Sequence, residues 1–362
     1  MQKMALVLQG GGALGAYEYG VVTRLVELGW QPVAVAGVSI GAINAAAIAG
    51  ARGGDVAAGL KRLWEAITMK AIPFWPPDQQ AFFSMWGNPR FYQLRTDYLK
   101  MMEWTSLCDV SPMRETLKGL LDFDQINDWR HMRMSVTATN VATGGLVSFS
   151  NHVTDPSAAH RVTPRVQRLR ITPDHILASG SLPPGFPMTQ IDGVHYWDGG
   201  LFDNTPIESL LDLLEEDEIE TLPIFVLNLF PTHGGIPTNM MEVKGRMMEI
   251  TYENRFWARY EEPESGLIPF TDMLMRLEHE LPKDSSVRSS EAFRRLRRLR
   301  ALKNLQVISA EHTGMAGGAD FSAYGIERRF DIGYKATDKY LAEHPSLTKA
   351  RSSALRSAAA AE

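Results

Sequence analysis

Ser39 stands in the run Gly37-Val38-Ser39-Ile40-Gly41, a G-x-S-x-G pattern between a short apolar stretch, Val33 to Ala36, and an Ala-rich stretch, Ile40 to Ala49. The spacing predicts a strand, a sharp turn and a helix. Glycines at both ends let strand and helix meet closely, so the serine projects from the apex into a cleft. Its backbone then lies at a helix start, where developing negative charge is favoured. The chemistry this suits is nucleophilic attack on a carbonyl carbon. The plainer alternative is a packing turn.

A nucleophilic serine needs a base. The α/β-hydrolase order is Ser, acid, His, and its elbow follows several strands. Ser39 follows only one strand–helix unit, and an isolated histidine is more often a surface or satisfied core residue. A different base is written in Tyr196-Trp197-Asp198-Gly199-Gly200. Asp198 follows an apolar pair, and Gly199 and Gly200 let the chain turn without shielding the carboxylate. Burial disfavours the charged form and so makes an aspartate a stronger base. A Ser39–Asp198 pair would need no histidine. The plainer alternative is an Asp-Gly turn between strands.

A third pattern, Gly10-Gly11-Gly12-Ala13-Leu14-Gly15, satisfies G-x-G-x-x-G between an apolar strand and a helix. A dinucleotide site would also want an acid at the end of the second strand, for the ribose. That strand runs Val33-Ala34-Val35-Ala36 into Gly37, with no acid there. What remains is a row of backbone N–H groups at a helix N-terminus, which stabilises an anion.

The surrounding elements must bring these three patterns together. Met4 to Leu8 and Val33 to Ala36 are continuous apolar runs, and Met4–Gln9 reads as a strand covered on both faces, as does the second run. Ala13 to Leu28 has helical spacing on Leu14, Tyr17, Val21, Leu25 and Leu28, and ends at Gly29. Strand, helix, strand, helix implies parallel pairing with right-handed crossovers. Met134 to Thr139 and Leu146 to Ser150 flank Thr143-Gly144-Gly145 as a hairpin, and Thr172 caps a short helix from Pro173 to Ser179. Leu222 to Leu229 and Asn304 to Ser309 read as further strands. Met240 to Glu261, Thr271 to Leu281, Ser290 to Lys303 and Ser322 to Glu343 read as helices. Residues 64 to 108 are rich in aromatics broken by prolines, either irregular core packing or a cap over an apolar groove.

Taken in order, Gly10–Gly15, Gly37–Gly41 and Asp198–Gly200 resemble the three signatures of the patatin-like phospholipase family. Ala138-Thr139-Asn140-Val141 with Thr143-Gly144, and Ala178-Ser179-Gly180-Ser181-Leu182-Pro183, look similar too. The third signature ends in Gly200, where many relatives have Ala. The resemblance implies a three-layer α/β/α sandwich with a mostly parallel central sheet. It implies a lipid acyl hydrolase with Ser39 as nucleophile and Asp198 as base. The oxyanion would be held by the Gly10, Gly11 and Gly12 loop with Ile40, and Gly15, Gly37, Gly41, Gly199 and Gly200 would serve as motif glycines. No metal and no cofactor is implied. The expected organisation is a catalytic domain over 4–210, a mostly helical C-terminal extension over 211–345, as in some bacterial relatives, and a flexible tail over 346–362. The same dyad could act as an acyltransferase or cleave short storage polyesters, and a non-hydrolytic protein could keep the fold for binding alone.

Composition bounds the partners. With 37 Lys and Arg against 42 Asp and Glu the 362-residue chain carries a net charge of −5, a poor general nucleic-acid binder. A single cysteine, Cys108, excludes an internal disulfide and multi-cysteine metal sites. The early apolar run is cut by Gly10–Gly12 too soon for a signal peptide, so the cytoplasm is expected. The expected substrate is a lipid or another ester, with the oligomeric state left open. Arg294, Arg295, Arg297, Arg298, Arg300 and Lys303 make one segment basic. They read as a solvated helix face, or as a peripheral contact with anionic lipid.

Overall fold

The computed structural model describes residues 1–71, 73–154, 165–230, 235–253, 259–260, 266–310 and 317–347. The expected tail, 346–362, lies outside these apart from its first two residues.

The first fifty residues fold as their pattern dictates. Strand β1 (Gln2–Leu8) leads through a 3-10 turn at Gly12–Leu14 into helix α1 (Gly15–Glu27). Strand β2 (Trp30–Val38) then leads through Ser39 into helix α2 (Ile40–Ala49), all of whose residues are buried. Helix α3 (Val56–Ile67) follows, capped by the Asp55 side chain on Ala58 N–H at 2.9 Å.

The sheet grows on both sides of this unit. Strand β3 (Arg133–Asn140) pairs parallel with β2, and β4 (Leu146–Ser150) pairs antiparallel with β3 as the expected hairpin. Strand β5 (Arg165–Arg168) follows β4 in parallel. After helices α4 (Ser111–Leu120), α5 (Phe123–Asn127) and α6 (Pro173–Ser179) come β6 (Thr189–Ile191) and β7 (Val194–Asp198), an antiparallel pair. Helix α7 (Ile207–Leu211) precedes β8 (Ile224–Asn228), which lies parallel to β1. Helices α8 (Met240–Glu253), α9 (Leu267–Glu280), α10 (Ser286–Ser289) and α11 (Glu291–Arg298) lead to β9 (Leu305–Ser309), parallel to β8, and to helix α12 (Ala323–Glu343). The strand order is β9-β8-β1-β2-β3-β7-β6, with β4 and β5 on the other edge of β3.

β1 shows why this is a three-layer sandwich. Met4, Leu6 and Leu8 enter one buried cluster with α1, α2 and α3, while Ala5 and Val7 enter another with Ile207, Leu210 and Leu302. Alternate residues of a strand point to opposite faces, and here both faces are covered.

The segment after residue 210 contributes more than helices. β8 and β9 extend the central sheet itself, and α12 packs along α1. There Gly20 and Gly333 allow backbone contact: a Cβ at Gly333 would lie 2.2 Å from the Tyr17 carbonyl oxygen. Arg24 Nε also meets Asp338 Oδ1 at 2.7 Å.

Two sequence expectations change. The basic segment does not present all its cations outward. Arg298 is buried and donates to the carbonyls of Leu211 and Leu214, both at 2.9 Å. Arg297 and Arg300 reach Glu278, and Lys303 pairs with Asp272. The cause is a set of acids on the loop after α7 and on α9, which the helix faces; Arg294 and Arg295 are exposed, as is Lys303 despite its pairing. The aromatic segment divides: Trp64, Phe91 and Tyr92 are core residues, whereas Phe74, Trp86 and Tyr98 are exposed. The Phe82 side chain lies outside the described residues.

Candidate active site

Ser39 sits at the turn between β2 and α2 with φ 55° and ψ −124°. A non-glycine residue at positive φ is strained and persists only where its surroundings hold it, a common feature of functional sites. Here two things hold it. Its N–H bonds to the Ser179 hydroxyl at 3.0 Å and to the Ser179 carbonyl at 3.1 Å. The flanking glycines let the turn close on itself: a Cβ at Gly37 would lie 2.3 Å from the Gly41 carbonyl oxygen. Ser39 itself is half-buried.

The position of Asp198 follows from strand register. β2 occupies one edge of β3 as far as Val38 opposite Thr137. β7 takes over that same edge, running the other way, from Asp198 opposite Ala138. The C-terminal ends of β2 and β7 therefore meet head to head, and Ser39 follows directly after one of them. Asp198 is buried, with the Ser39 hydroxyl near enough to draw its carboxyl down. Gly200 N–H donates to its Oδ1 at 2.8 Å, and the Ser181 carbonyl accepts from its N–H at 3.0 Å. Thr139 Oγ1 donates to the Asp198 carbonyl at 2.9 Å. Burial pushes the Asp198 carboxyl up to about 7, against the smaller opposing pull of the Ser39 and Gly200 hydrogen bonds.

The glycine loop lies against this pair. A Cβ at Gly10 would lie 2.9 Å from the Ser39 Cβ, so the loop runs beside the nucleophile turn. Gly10 N–H is held by Asn204 Oδ1 at 3.1 Å, and Asn204 Nδ2 donates to the Gly10 carbonyl at 3.1 Å. Gly11 and Gly12 are partly exposed, and Gly12 has φ 58°. Ile40 is the first residue of α2, and the first N–H groups of a helix have no intrahelical partner. The structure thus gathers Ser39, Asp198, the glycine loop and Ile40 in one place.

Two of the described histidines are engaged in other contacts. His175 Nδ1 is 2.9 Å from Thr172 Oγ1 in the cap of α6, and His152 stacks on Trp129 with ring centroids 4.3 Å apart. His160, His233 and His312 lie outside the described residues. Among the described residues no three His, Cys, Asp or Glu side chains converge as a metal site. Among the same residues no helix is long and apolar enough to cross a membrane.

Several positioning residues carry no motif of their own. Gln9 is fully buried; its Nε2 donates to Thr205 Oγ1 at 2.7 Å and its Oε1 accepts from Leu229 N–H at 2.8 Å. Together with Asn204 it ties the loop after β1 to the loop after β7. The only sequence signal is a polar residue ending an apolar strand, directly before the glycines. Ser179 and Ser181, by contrast, lie within a stretch whose likeness to relatives was visible.

A mostly parallel sheet covered by helices on both faces, with a serine at a strained strand–helix turn, defines an α/β protein of the hydrolase type. The sequence pattern of the patatin-like phospholipase family matches residues 6–211, and the chain belongs to that family, one of lipid acyl hydrolases. Among solved structures, VipD from Legionella pneumophila is similar at 15% sequence identity, over 95% of this chain and 67% of that one, with a TM-score of 0.41. No curated protein matches the chain significantly.

Proposed function

We propose that this protein hydrolyses carboxylic esters of lipids through a Ser39–Asp198 dyad and an acyl-enzyme. The observation that carries this is the placement of the strained Ser39 beside a buried Asp198, where β2 and β7 end head to head, with the Asp198 carboxyl raised to about 7. A base with a value near the working pH is ionised enough to accept a proton and basic enough to take it in the transition state.

In the first step Asp198 takes the Ser39 proton as Oγ bonds to the ester carbonyl carbon. The oxyanion that forms is held by the N–H groups of Gly11 and Gly12 with Ile40. Gly10, whose N–H is taken by Asn204, supplies close approach rather than a donor. Removing one oxyanion donor typically costs about 3–4 kcal/mol of transition-state stabilisation. Asp198 then returns the proton to the departing alkoxide. In the second step Asp198 takes a proton from water, the hydroxide attacks the acyl carbon, and collapse releases the fatty acid and regenerates the Ser39 hydroxyl.

The test is an ester panel, including phospholipid, triacylglycerol and short p-nitrophenyl esters, run on wild type and Ser39→Ala in parallel. Hydrolysis that disappears in Ser39→Ala supports the proposal. Hydrolysis that survives in Ser39→Ala sinks it.

A further inference from the structure

Glu18 is a buried carboxyl that the dyad chemistry does not use. It lies on α1 and is fully inaccessible. Its Oε2 accepts from Asn44 Nδ2 at 2.8 Å, and its Oε1 is buried without a hydrogen-bond partner. Asn44 lies on α2, five residues past Ser39, and is 1% exposed. Its Nδ2 also donates to the Gly15 carbonyl at 3.0 Å, and its Oδ1 accepts from Trp64 Nε1 at 2.9 Å.

The pair holds the closing end of the glycine loop. Gly15 ends the run Gly10–Gly15, and its carbonyl is bound to Asn44. At the same contact α1 touches α2 without clearance: a Cβ at Gly15 would lie 2.7 Å from Ile40 Cγ1. The Gly11 and Gly12 N–H groups sit at the start of one helix and the Ile40 N–H at the start of the other. How far apart these donors stand is decided where α1 meets α2.

We infer that Glu18 and Asn44 form a buried positioning clamp that fixes the glycine loop relative to the nucleophile helix and so sets the geometry of the oxyanion site. This rests on the dyad mechanism proposed above.

A stability role alone does not account for a carboxyl here. Burying it is costly, and a leucine of similar size would pack without that cost. Apolar contact holds two helices together without specifying register, whereas the Asn44 hydrogen bonds to Glu18, Gly15 and Trp64 are directional and fix one arrangement. Burial also pushes the Glu18 carboxyl well above its ordinary range, towards the uncharged form.

The experiment measures kcat and KM on a p-nitrophenyl ester, the labelling rate with a fluorophosphonate probe, and the melting temperature. The variants are Glu18→Gln, Glu18→Leu, Asn44→Asp and Ser39→Ala. Glu18→Gln keeps the acceptor and should stay within about threefold of wild type in kcat, well under the cost of a misplaced site. Glu18→Leu should lose between about tenfold and a hundredfold in kcat at nearly unchanged KM, with slower labelling. Its melting temperature should hold or rise. If Glu18→Leu does not fold, Asn44→Asp, which keeps the Trp64 acceptor and loses the donors, should show the same split. Full kcat in Glu18→Leu and in Asn44→Asp overturns the clamp, as does a Glu18→Gln enzyme as impaired as Glu18→Leu. Those outcomes leave a Ser39-dependent enzyme. Hydrolysis surviving in Ser39→Ala instead overturns the dyad, and the clamp with it.

Discussion

The side chain of Asn204 holds both backbone groups of Gly10, accepting its N–H and donating to its carbonyl, each at 3.1 Å. The loop after β7, which carries Asp198, is thereby pinned to the loop after β1, which carries the expected oxyanion donors. Asn204→Ala orphans two buried backbone groups, each costing about 1–3 kcal/mol. We expect kcat to fall at least about tenfold with a smaller change in KM. Asn204→Asp should be worse, since it removes the donor and adds a charge that repels an oxyanion. Steady-state kinetics on both variants checks this; wild-type kcat in Asn204→Ala would detach the loop from Asn204.

Ser39 and Asp198 should behave as one unit. Ser39→Ala and Asp198→Asn are each expected to reduce kcat by about three orders of magnitude or more, and the double variant should be little worse than either. Multiplicative losses in the double variant would show two independent roles. Near-normal turnover in Asp198→Asn with loss in a histidine variant would point to a triad.

The raised Asp198 carboxyl gives a pH dependence with a definite sign. The base must be ionised, so kcat/KM should climb about tenfold per pH unit below about 7 and level off above it. Stability moves the other way. The native carboxyl, at about 7, lies above its unfolded value near 3.9, so the folded state binds more protons between them. Stability from this group is fully present at about pH 4 and is lost as the pH rises through about 7. Asp198→Asn should therefore raise the melting temperature at pH 8 and change it little at pH 4. Thermal melts at the two pH values decide it; an equal shift at both would remove burial as the cause.

How much of this was legible follows from where each constraint is written. Ser39 and Asp198 are marked by local glycines, because a turn that must be tight needs small neighbours in sequence. The β1–α1–β2–α2 unit, the hairpin of β3 and β4, and α6 are likewise local patterns. The meeting of Ser39 with Asp198 is not local. It depends on β3 offering one edge first to β2 and then to β7, a register that no five-residue window contains. Asn204 reads as part of a polar turn, Asp203-Asn204-Thr205, and Glu18 as one polar position between two tyrosines. Glu18 is buried only because its helix is packed on several sides. Arg298 looks like its exposed neighbours Arg294 and Arg295 and differs only in facing the carbonyls after α7.

Gly11 and Gly12 should not be equally sensitive. Gly11 has φ 166°, extended backbone that any residue adopts, and a Cβ there would meet the Leu229 Cδ1 at 3.0 Å, a side-chain atom that can shift. Gly12 has φ 58°, and a Cβ there would lie 2.2 Å from the Gly318 carbonyl oxygen, which is backbone. Gly12→Ala must therefore move either the glycine loop or the turn at Gly317–Ala319. We expect a loss in kcat of about a hundredfold for Gly12→Ala and less than about tenfold for Gly11→Ala, with KM changed little in both. Circular dichroism confirms folding. A raised KM at unchanged kcat would assign the loop to substrate binding instead.

The basic helix yields a prediction about stability. Arg298 is 5% exposed and its guanidinium closes two carbonyls, those of Leu211 and Leu214, at the end of α7 and just after it. Removing it takes a charged donor from both; Leu214 keeps Thr154 Oγ1 at 2.8 Å and Leu211 keeps the Leu214 N–H at 3.4 Å, so the loss is that of the charged hydrogen bonds, about 1.5–3 kcal/mol. Arg294 and Arg295 are exposed, and surface substitutions of this kind usually stay within about 0.5 kcal/mol. Arg298→Ala should therefore lower the melting temperature by several degrees while Arg294→Ala and Arg295→Ala leave it unchanged. Binding to anionic vesicles at low salt separates the two roles of the segment. If the helix serves mainly as an internal clamp, Arg294→Glu with Arg295→Glu leaves vesicle binding as it is in wild type. A salt-sensitive loss of binding in that pair, with the melting temperature intact, would return the helix to the membrane surface.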